Sequence, residues 1–319
     1  MWLKLRLYLI MAVLFAIVYG LVAFAANFIG ITGFFFYGVL ATVMMLIQYM
    51  IGPKMVEWTM GVRYVTEQEY PALHRMVSEL SRDAGIPKPR IGIARIPIPN
   101  AFAFGRWAKD GRVCVTEGIM NLLNEKELRA VLAHEISHLK HKDVAIITMI
   151  SVIPMICWYL AWNQLFSGGR ERGNGVLIGI VALIVYLITN LLVLYVSRIR
   201  EYYADEGAVK LGNSPHHLAS ALYKLVYGSA RVSKESLKPI EGMKAFFAND
   251  PSRAGSEIRE LSQIDIDGSG TIDINELMAL RTRPVKVKTT DKLMEMFSTH
   301  PNMLKRIQRL SSLQGISAY

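Results

Sequence analysis

The segment Ala133-His134-Glu135-Ile136-Ser137-His138-Leu139 decides how the rest of the chain is interpreted. Apolar residues recur through it and before it at helical spacing, so a helix is predicted. Four helical residues turn by about 400° and rise by about 6 Å. His134 and His138 therefore lie one turn apart on the same face of this helix, where both can bind one metal ion.

The H-E-x-x-H pattern of this segment indicates a zinc site. Zinc suits two imidazoles plus a carboxylate and leaves one coordination position open for water. Glu135 is too close in sequence to share the metal easily, but it is well placed to take a proton from a water that the metal activates. The alternative is two solvated histidines on an exposed helix. The apolar residues on both sides instead favour a half-buried helix and a catalytic zinc site.

The composition indicates a membrane protein. The chain has 319 residues, 52% of them hydrophobic, and a mean hydropathy of +0.28, which is too apolar for an ordinary soluble protein. The net charge of +10 fits basic loops on the inner side of a membrane better than nucleic-acid binding, so no nucleic acid is expected as a partner. Two cysteines, Cys114 and Cys157, do not form a disulfide framework, which favours a reducing compartment for the soluble part.

Residues 1–62 are predicted to form a transmembrane hairpin. Apolar runs at Leu7–Ala26 and Gly33–Ile51 each approach the roughly 20 residues that span a bilayer. A cleaved signal peptide ending at Ala23-Phe24-Ala25 is the alternative, but the first run is long for a signal and a second run follows at once. Both ends of the hairpin are expected in the cytoplasm, because four basic residues flank it on that side: Lys4, Arg6, Lys54 and Arg63.

Residues 63–143 have the pattern of a soluble α/β segment. An extended segment just before a zinc helix can offer an edge that holds a peptide substrate as an added strand. Asn100 is then a candidate for binding substrate backbone, although the residues alone favour a simple turn asparagine. The predicted helices are Glu67–Ala84, Glu117–Leu123 and Glu125–His141, and the predicted strands are Arg90–Ile96, Ala101–Gly105 and Val113–Thr116.

Two further apolar runs, Val144–Phe166 and Val176–Val196, are separated by the polar loop 167–175. Each is long enough to span a bilayer. Pro154 and Asn190 keep open the alternative of buried or interfacial helices. If both runs are spans that continue as helices beyond the bilayer, the metal is expected just above the membrane surface.

Glu201 is the predicted third zinc ligand, because a carboxylate on a second helix completes a His2Glu site. Asp205, one turn further on, can accept a hydrogen bond from a ligand histidine and orient its ring. His141 and Asp143 are the rival ligands. His141 is two turns from His134, too far for an unbent helix, and both rivals suit the C-terminal end of a helix instead.

These residues resemble those of the M48 peptidases, and most closely the HtpX membrane proteases. The similarity is carried by His134-Glu135-x-x-His138 and Glu201-x-x-x-Asp205, and it covers about residues 1–245 and 285–311. Three further motifs fit the same family: Pro99-Asn100-Ala101-Phe102-Ala103-Phe104-Gly105, Val115-Thr116-Glu117-Gly118 and Phe297-Ser298-Thr299-His300-Pro301.

The resemblance implies roles that spacing alone does not. It implies that Asn100 binds substrate backbone next to the scissile bond and that His300 steadies the transition-state oxyanion. By its sequence context alone, His300 is only a histidine before a proline. The resemblance also implies a zinc endopeptidase of the cell membrane that acts in quality control on misfolded membrane proteins.

Asp265–Glu276 has the pattern of an inserted EF-hand calcium loop and is not part of the usual family pattern. Gly270 stands at position six, where the chain must turn sharply, and Ile272 at the apolar position eight, which usually pairs with a second hand. The alternative is an acidic surface loop with turn glycines. The predicted calcium ligands are Asp265, Asp267, Ser269, the Thr271 carbonyl, Asp273 and Glu276.

The expected fold is mainly α with a small β-sheet, and it combines multi-pass membrane helices with a zincin-like metalloprotease domain. The C-terminal helix carries a basic stripe of Lys305, Arg306 and Arg309 that is expected to face solvent or lipid. The predicted segments are a transmembrane hairpin at 1–62, catalytic parts at 63–143, 197–253 and 285–319, a second hairpin at 144–196 and the EF-hand-like insertion at 254–284.

Two other classes of function compete with the zinc endopeptidase. A calcium-binding membrane scaffold or sensor with a structural zinc site requires a fourth protein ligand, such as His141, and no open position for water. A transporter requires ionisable residues within the spans, where this sequence has almost none. We therefore expect zinc and calcium as cofactors, and membrane-protein substrates and the lipid bilayer as partners, with self-association left open.

Overall fold

The computed structural model describes residues 33–96, 98–166, 174–231, 254–282 and 289–314. Within these ranges the protein is mainly helical with one small sheet, as predicted. The chain divides into two compact units. One contains Ala145–Ile199 together with the described residues up to Gly52, and the other contains Pro53–Val144 and the described residues from Arg200 onward.

The helices and strands follow the predicted bounds closely in the segment that carries H-E-x-x-H. The strand β1 lies outside every predicted strand, because three residues are too few to show an alternating pattern. The elements are α1 (Gly33–Thr59), β1 (Val62–Tyr64), α2 (Pro71–Ala84), β2 (Arg90–Ala94), β3 (Ala101–Phe104), β4 (Arg112–Thr116), α3 (Glu117–Leu122), α4 (Glu125–His141), α5 (Asp143–Phe166), α6 (Asn174–Lys210), α7 (Pro215–Ala230), α8 (Ala254–Leu261), α9 (Ile274–Ala279), α10 (Thr289–Met296) and α11 (Met303–Leu313).

Two helices in the described ranges are long and apolar enough to cross a membrane, at Asp143–Trp162 and Gly175–Lys210. They carry the third and fourth predicted runs. The second predicted run lies in α1, whereas the first run and the alternative cleavage site lie outside the described residues. Large apolar side chains on both candidate helices are exposed, which is typical of a lipid-facing surface: Met149, Trp162, Leu177, Ile184 and Leu187.

The four-stranded sheet is mixed, with the order β1-β2-β4-β3. β2 and β4 are parallel, and the two outer pairs are antiparallel. Asn100 and Thr116 form a hydrogen-bonded pair at the end of the β3–β4 ladder. Because antiparallel pairs alternate, the backbone groups of Ala101 and Ala103 point away from β4, toward the outer edge of the sheet.

The main core of the unit that contains Pro53–Val144 and the described residues from Arg200 onward forms between the sheet and the helices α2, α4, α7 and α11. A smaller cluster, which includes Met60, Phe102 and Phe104, covers the other face of the sheet. Two buried faces explain why β4 is buried along its whole length, whereas a strand with one solvated face would alternate. The sheet is therefore a fixed frame against which α4 packs.

The start of α4 is fixed by a capping box. The side chain of Asn124 accepts the backbone N–H of Glu127, and the Glu127 carboxylate accepts the N–H of Asn124, both at 3.0 Å. Glu127 is buried and also accepts hydrogen bonds from Ser220 at 2.6 Å and from Lys224 at 2.9 Å. One carboxylate therefore both caps α4 and holds α7 against it.

Candidate metal centre

Three side chains from two helices bring their donor atoms together at one point. His134 and His138 lie on α4, and Glu201 lies on α6. Their donor atoms form a small triangle: Nε2 of His134 is 3.1 Å from Nε2 of His138, and each of these nitrogens is 3.5 Å from an oxygen of Glu201. His134 and Glu201 are buried and His138 is half-buried.

This triangle fits a zinc ion. Zinc lies about 2.0–2.2 Å from nitrogen and oxygen ligands, so in tetrahedral geometry neighbouring donor atoms are about 3.4 Å apart. The observed separations of 3.1, 3.5 and 3.5 Å match that spacing. Among the described residues, those within reach of one ion at this point are His134, His138 and Glu201, so a tetrahedral ion held by them would keep one position for water.

Carboxylates hold both histidine rings from behind. Asp205 Oδ1 lies 2.9 Å from Nδ1 of His134, and Asp143 Oδ2 lies 2.6 Å from Nδ1 of His138. A carboxylate at Nδ1 favours the tautomer that leaves Nε2 free for a metal. Asp143 is thus placed behind a ligand, whereas the sequence offered it as a rival ligand, and Arg200 pairs with it in turn.

Close contact between α4 and α6 brings Glu201 to the histidines. At Gly207 a Cβ atom would lie only 2.0 Å from Oγ of Ser137, so a larger residue would force the two helices apart. Gly207 is less than two turns after Glu201 along α6. The absence of a side chain at this position therefore sets the distance across which Glu201 can meet His134 and His138.

Arg306 on α11 completes the charge arrangement, which corrects the prediction of a solvent- or lipid-facing basic stripe. Its side chain is 0% exposed. Nη1 lies 3.0 Å from Oε2 of Glu201, and Nη2 and Nε donate to Asp205 at 2.6 and 2.9 Å. Although burial disfavours its charge, the two carboxylates raise the pKa of Arg306 above its usual range, so it stays positive.

Helical spacing in the sequence indicates that Arg306 is buried. On α11 the residues Met303, Arg306 and Leu310 follow one another at spacings of three and four, so they share one helical face. Met303 and Leu310 are both buried in the core. A cation on the apolar face of an amphipathic helix must meet buried anions, and this requirement distinguishes Arg306 from its neighbour Lys305.

Glu135 lies on α4 between the two histidines and is 5% exposed. Burial raises the pKa of its carboxyl, while the neighbouring histidines and a hydrogen bond from the backbone of Ala103 oppose that rise. This contact places the carboxylate at the outer edge of β3. Glu135 is therefore positioned both beside the donor triangle and against the edge strand.

The remaining predicted site residues, His300, Asn100 and His141, have different surroundings. His300 is buried, with Nδ1 3.4 Å from Oε1 of Glu201, and its ring nitrogens make no hydrogen bond to the described residues. Asn100 is fully buried, and its backbone pairs with Thr116 directly before β3. His141 lies with Ser137 and the ring of Tyr203, so it is outside the donor group.

The chain is similar to known peptidases over most of its length. The model of peptidase family M48 matches residues 67–314. A "Protease HtpX homolog" of Methanothermobacter thermautotrophicus is 55% identical over 224 residues, covering 70% of this chain and 86% of the relative. Its counterpart in Thermoplasma acidophilum is 31% identical over 326 residues, covering 98% and 97%.

A solved structure has a related fold. The crystal structure of S. mikatae Ste24p superposes with a TM-score of 0.50 at 16% identity. The match covers 96% of this chain and 64% of that chain. At this identity the likeness concerns the fold alone.

The donor triangle predicts a ranking of zinc contents. Glu201→Gln keeps the shape of the side chain but removes the charged ligand, so zinc content should fall to a small fraction of wild type. Asp205→Asn should lower it less, because the His134 ring loses only its orienting partner. His141→Ala is the matched control and should keep full zinc content. Metal analysis of the purified variants measures the ranking, and a greater loss in His141→Ala than in Glu201→Gln would contradict the ligand set.

Proposed function

Because the chain belongs to peptidase family M48 and is a membrane-associated metalloprotease similar to HtpX, we propose that it hydrolyses peptide bonds at the site formed by His134, His138 and Glu201. The observation that carries the proposal is the donor triangle with Glu135 beside it. Zinc held there would supply a Lewis acid that makes water a nucleophile near neutral pH and polarises the scissile carbonyl.

Glu135 acts as the general base and then as the general acid. It accepts the proton of the attacking water and later delivers it to the leaving amine. Burial raises the pKa of its carboxyl from the usual acidic range toward neutral pH, and a group with a pKa nearer the working pH can both accept and release a proton. Nδ1 of His300 lies 3.4 Å from Oε1 of Glu201, and Nε2, which makes no hydrogen bond to the described residues, supports a role as hydrogen-bond donor to the oxyanion.

The outer edge of β3 receives the substrate as an added strand. The backbone groups of Ala101 and Ala103 point to that edge, and Ala103 bonds to Glu135, so a strand paired there would pass the catalytic carboxylate. Asn100 directly precedes β3 and is held there by its two backbone hydrogen bonds to Thr116. We assign it to binding the substrate backbone at the start of this edge.

The substrates are membrane proteins that are misfolded or damaged, and the catalytic domain faces the cytoplasm. The two apolar helices support a multi-pass chain, and the basic flanks of the N-terminal hairpin support the orientation. In this arrangement residues 1–62 and 144–196 are membrane hairpins. The catalytic domain combines 63–143, 197–253 and 285–319, with 254–284 as an insertion.

A scaffold with a structural zinc site is the competing function. Such a site would use a fourth protein ligand in place of water. His141, the available candidate, instead contacts Ser137 and Tyr203, which favours the hydrolytic site with its open position.

Removing the base should separate zinc binding from catalysis. Glu135→Gln should retain zinc at the wild-type level, because residue 135 is not in the donor group, and should lose nearly all activity, on the order of 10²–10⁴-fold or more. Cleavage of casein and of a membrane-protein substrate by purified enzyme in detergent gives the rates, and metal analysis gives the zinc content. A variant that cuts at the wild-type rate would show that Glu135 is not the base.

Labelling of single cysteines tests the topology. In a background that lacks Cys114 and Cys157, Ser167→Cys lies between the third and fourth apolar runs and should react with an impermeant thiol reagent added outside intact cells. Ser78→Cys, on the exposed face of α2, is the matched control and should react only after lysis. Labelling of Ser167→Cys only after lysis would show that the two runs do not cross the membrane.

The loop Asp265–Glu276 is proposed as a calcium site. Carboxylate oxygens of Asp265, Asp267 and Glu276 lie within 4.8 Å of one another, and Gly270 at position six has φ +77°, which favours glycine. Oγ of Ser269 donates to the Thr271 carbonyl at 3.3 Å. Asp265, Asp267 and Glu276, at positions one, three and twelve, are therefore close enough to share one ion. Ser269 and Thr271, at positions five and seven, contact each other, whereas Asp273, at position nine, caps α9 by accepting the backbone N–H of Glu276 at 2.7 Å.

Two contacts support the proposal that this loop can be held without a second hand. Ile272, at the position that usually pairs with another hand, is 1% exposed and packs into the main core. Tyr223 on α7 donates its hydroxyl to Asp265 at 2.7 Å. The protein's own core therefore replaces the partner hand, and calcium would order the insertion where it meets α7.

Calorimetric titration with calcium at constant zinc tests this site. Wild-type protein should bind one calcium ion, and Glu276→Gln should lose most of the affinity because it removes the charge of the bidentate ligand. Glutamine keeps a carbonyl oxygen that can still accept the backbone N–H of Asp273, so the start of α9 is preserved. Asp83→Asn, an exposed acid elsewhere, is the control. Equal binding by wild type and Glu276→Gln would exclude this loop as the site.

A further inference from the structure

We propose that Arg306 is a positioning residue that preassembles the zinc site, by holding one ligand directly and a second through Asp205. The inference rests on the proposed zinc site and goes beyond it. Its basis is the fork that one buried guanidinium makes with two carboxylates 3.0 Å or less away.

Arg306 contacts Glu201 directly. Nη1 of Arg306 lies 3.0 Å from Oε2 of Glu201, the same oxygen that lies 3.5 Å from Nε2 of His134. A glutamate side chain has three rotatable bonds, and without a partner its carboxylate would sample several orientations. The guanidinium fixes one orientation, which is the one that points into the donor triangle.

Arg306 also holds the ring of His134 indirectly, through Asp205. Nη2 and Nε of Arg306 donate to its two oxygens at 2.6 and 2.9 Å, which is a bidentate pair. Asp205 Oδ1, held in this way, lies 2.9 Å from Nδ1 of His134. Arg306 thereby fixes the ring of His134 without touching it. One side chain controls two of the three donors, and it is 101 residues from Asp205 in the chain.

The helix that carries Arg306, α11, is held at its first turn. Asn302 is fully buried and caps α11, because its Oδ1 accepts the backbone N–H of Leu304 at 3.0 Å. Its amide donates to Glu260 on α8 at 2.6 Å, and its backbone N–H donates to Glu295 on α10 at 3.2 Å. Two other helices therefore fix the first turn of α11, and the guanidinium is a rigid support.

The sign of the effect on zinc affinity separates positioning from simple electrostatics. A cation beside the site repels Zn²⁺, so if charge alone mattered, removing Arg306 would tighten zinc binding. If Arg306 acts by holding the ligands, removing it weakens binding, because the ordering of Glu201 and His134 must then occur as the metal binds. The two accounts predict changes of opposite direction.

The test compares three variants of this chain, purified in detergent, with the wild-type protein. Arg306→Met removes the charge and keeps most of the volume, and Arg306→Lys keeps the charge but loses the bidentate fork. Arg309→Met is the matched control, since it removes a cation of the same helix that lies over the Tyr202 ring and that, unlike Arg306, forms no ion pair with Glu201 or Asp205. Zinc affinity is measured by competition with a chromophoric chelator, and thermal unfolding of the metal-free proteins is recorded in parallel.

Arg306→Met should bind zinc about 10–100-fold more weakly than wild type, the usual effect of losing a partner of a metal ligand. Arg306→Lys should fall between the two, and Arg309→Met should match wild type. Cobalt substitution adds a spectroscopic readout: the visible bands of Co²⁺ should shift in Arg306→Lys, because Glu201 is held differently, and should not shift in Arg309→Met.

Wild-type zinc affinity in folded Arg306→Met, or tighter binding, would overturn the proposal. If Arg306→Met does not fold, Arg306→Lys decides: unchanged zinc affinity together with an unchanged cobalt spectrum would overturn it. Absence of zinc binding by the wild-type protein would instead refute the proposed metal site itself. The failure of the inference and the failure of the proposed function therefore give different results.

Discussion

The catalytic unit depends on the pairing of buried charges where α4, α6 and α11 meet. Glu201, Asp205 and Arg306 are all buried there, together with the two ring nitrogens of His134. An isolated buried charge costs several kcal/mol, so the two carboxylates and the guanidinium are tolerable here only in one another's presence. This mutual requirement fixes α4, α6 and α11 against one another. As a result, the donor atoms of His134, His138 and Glu201 converge on one point.

The sheet supplies a different constraint. Its edge strand β3 is held by pairing with β4, and at its outer edge the backbone of Ala103 donates a hydrogen bond to Glu135 on α4. The capping box at Asn124 fixes where α4 begins, and Glu127 ties the same helix to α7. The position of Glu135 against β3 is thus set by backbone pairing and capping, while the positions of His134 and Glu201, two of the proposed metal ligands, depend on the buried charges.

The loop that we propose as a calcium site depends on contacts with the rest of the chain. Its apolar residue Ile272 is enclosed by the main core. Glu260, just before the loop, accepts a hydrogen bond from Asn302, the residue that caps the helix of Arg306. The insertion and the metal centre therefore share structural elements, even though their proposed ions have different ligand chemistries.

The sequence by itself determined what is local. The helix Glu125–His141 has the predicted bounds, the strands near residues 90, 101 and 113 are present, and the spacing of His134 and His138 placed both on one face, because helical and strand periodicities are properties of neighbouring residues. It also pointed to Glu201 and Asp205, through the pattern of a second helix. Only the tertiary structure decided where Arg306 and Asp143 act. The run of basic residues predicts a solvated Arg306, and although helical spacing can indicate that this cation is buried, it cannot show which anions a distant helix brings to it. Asp143 reaches His138 because Lys142 adopts a left-handed conformation at the end of α4.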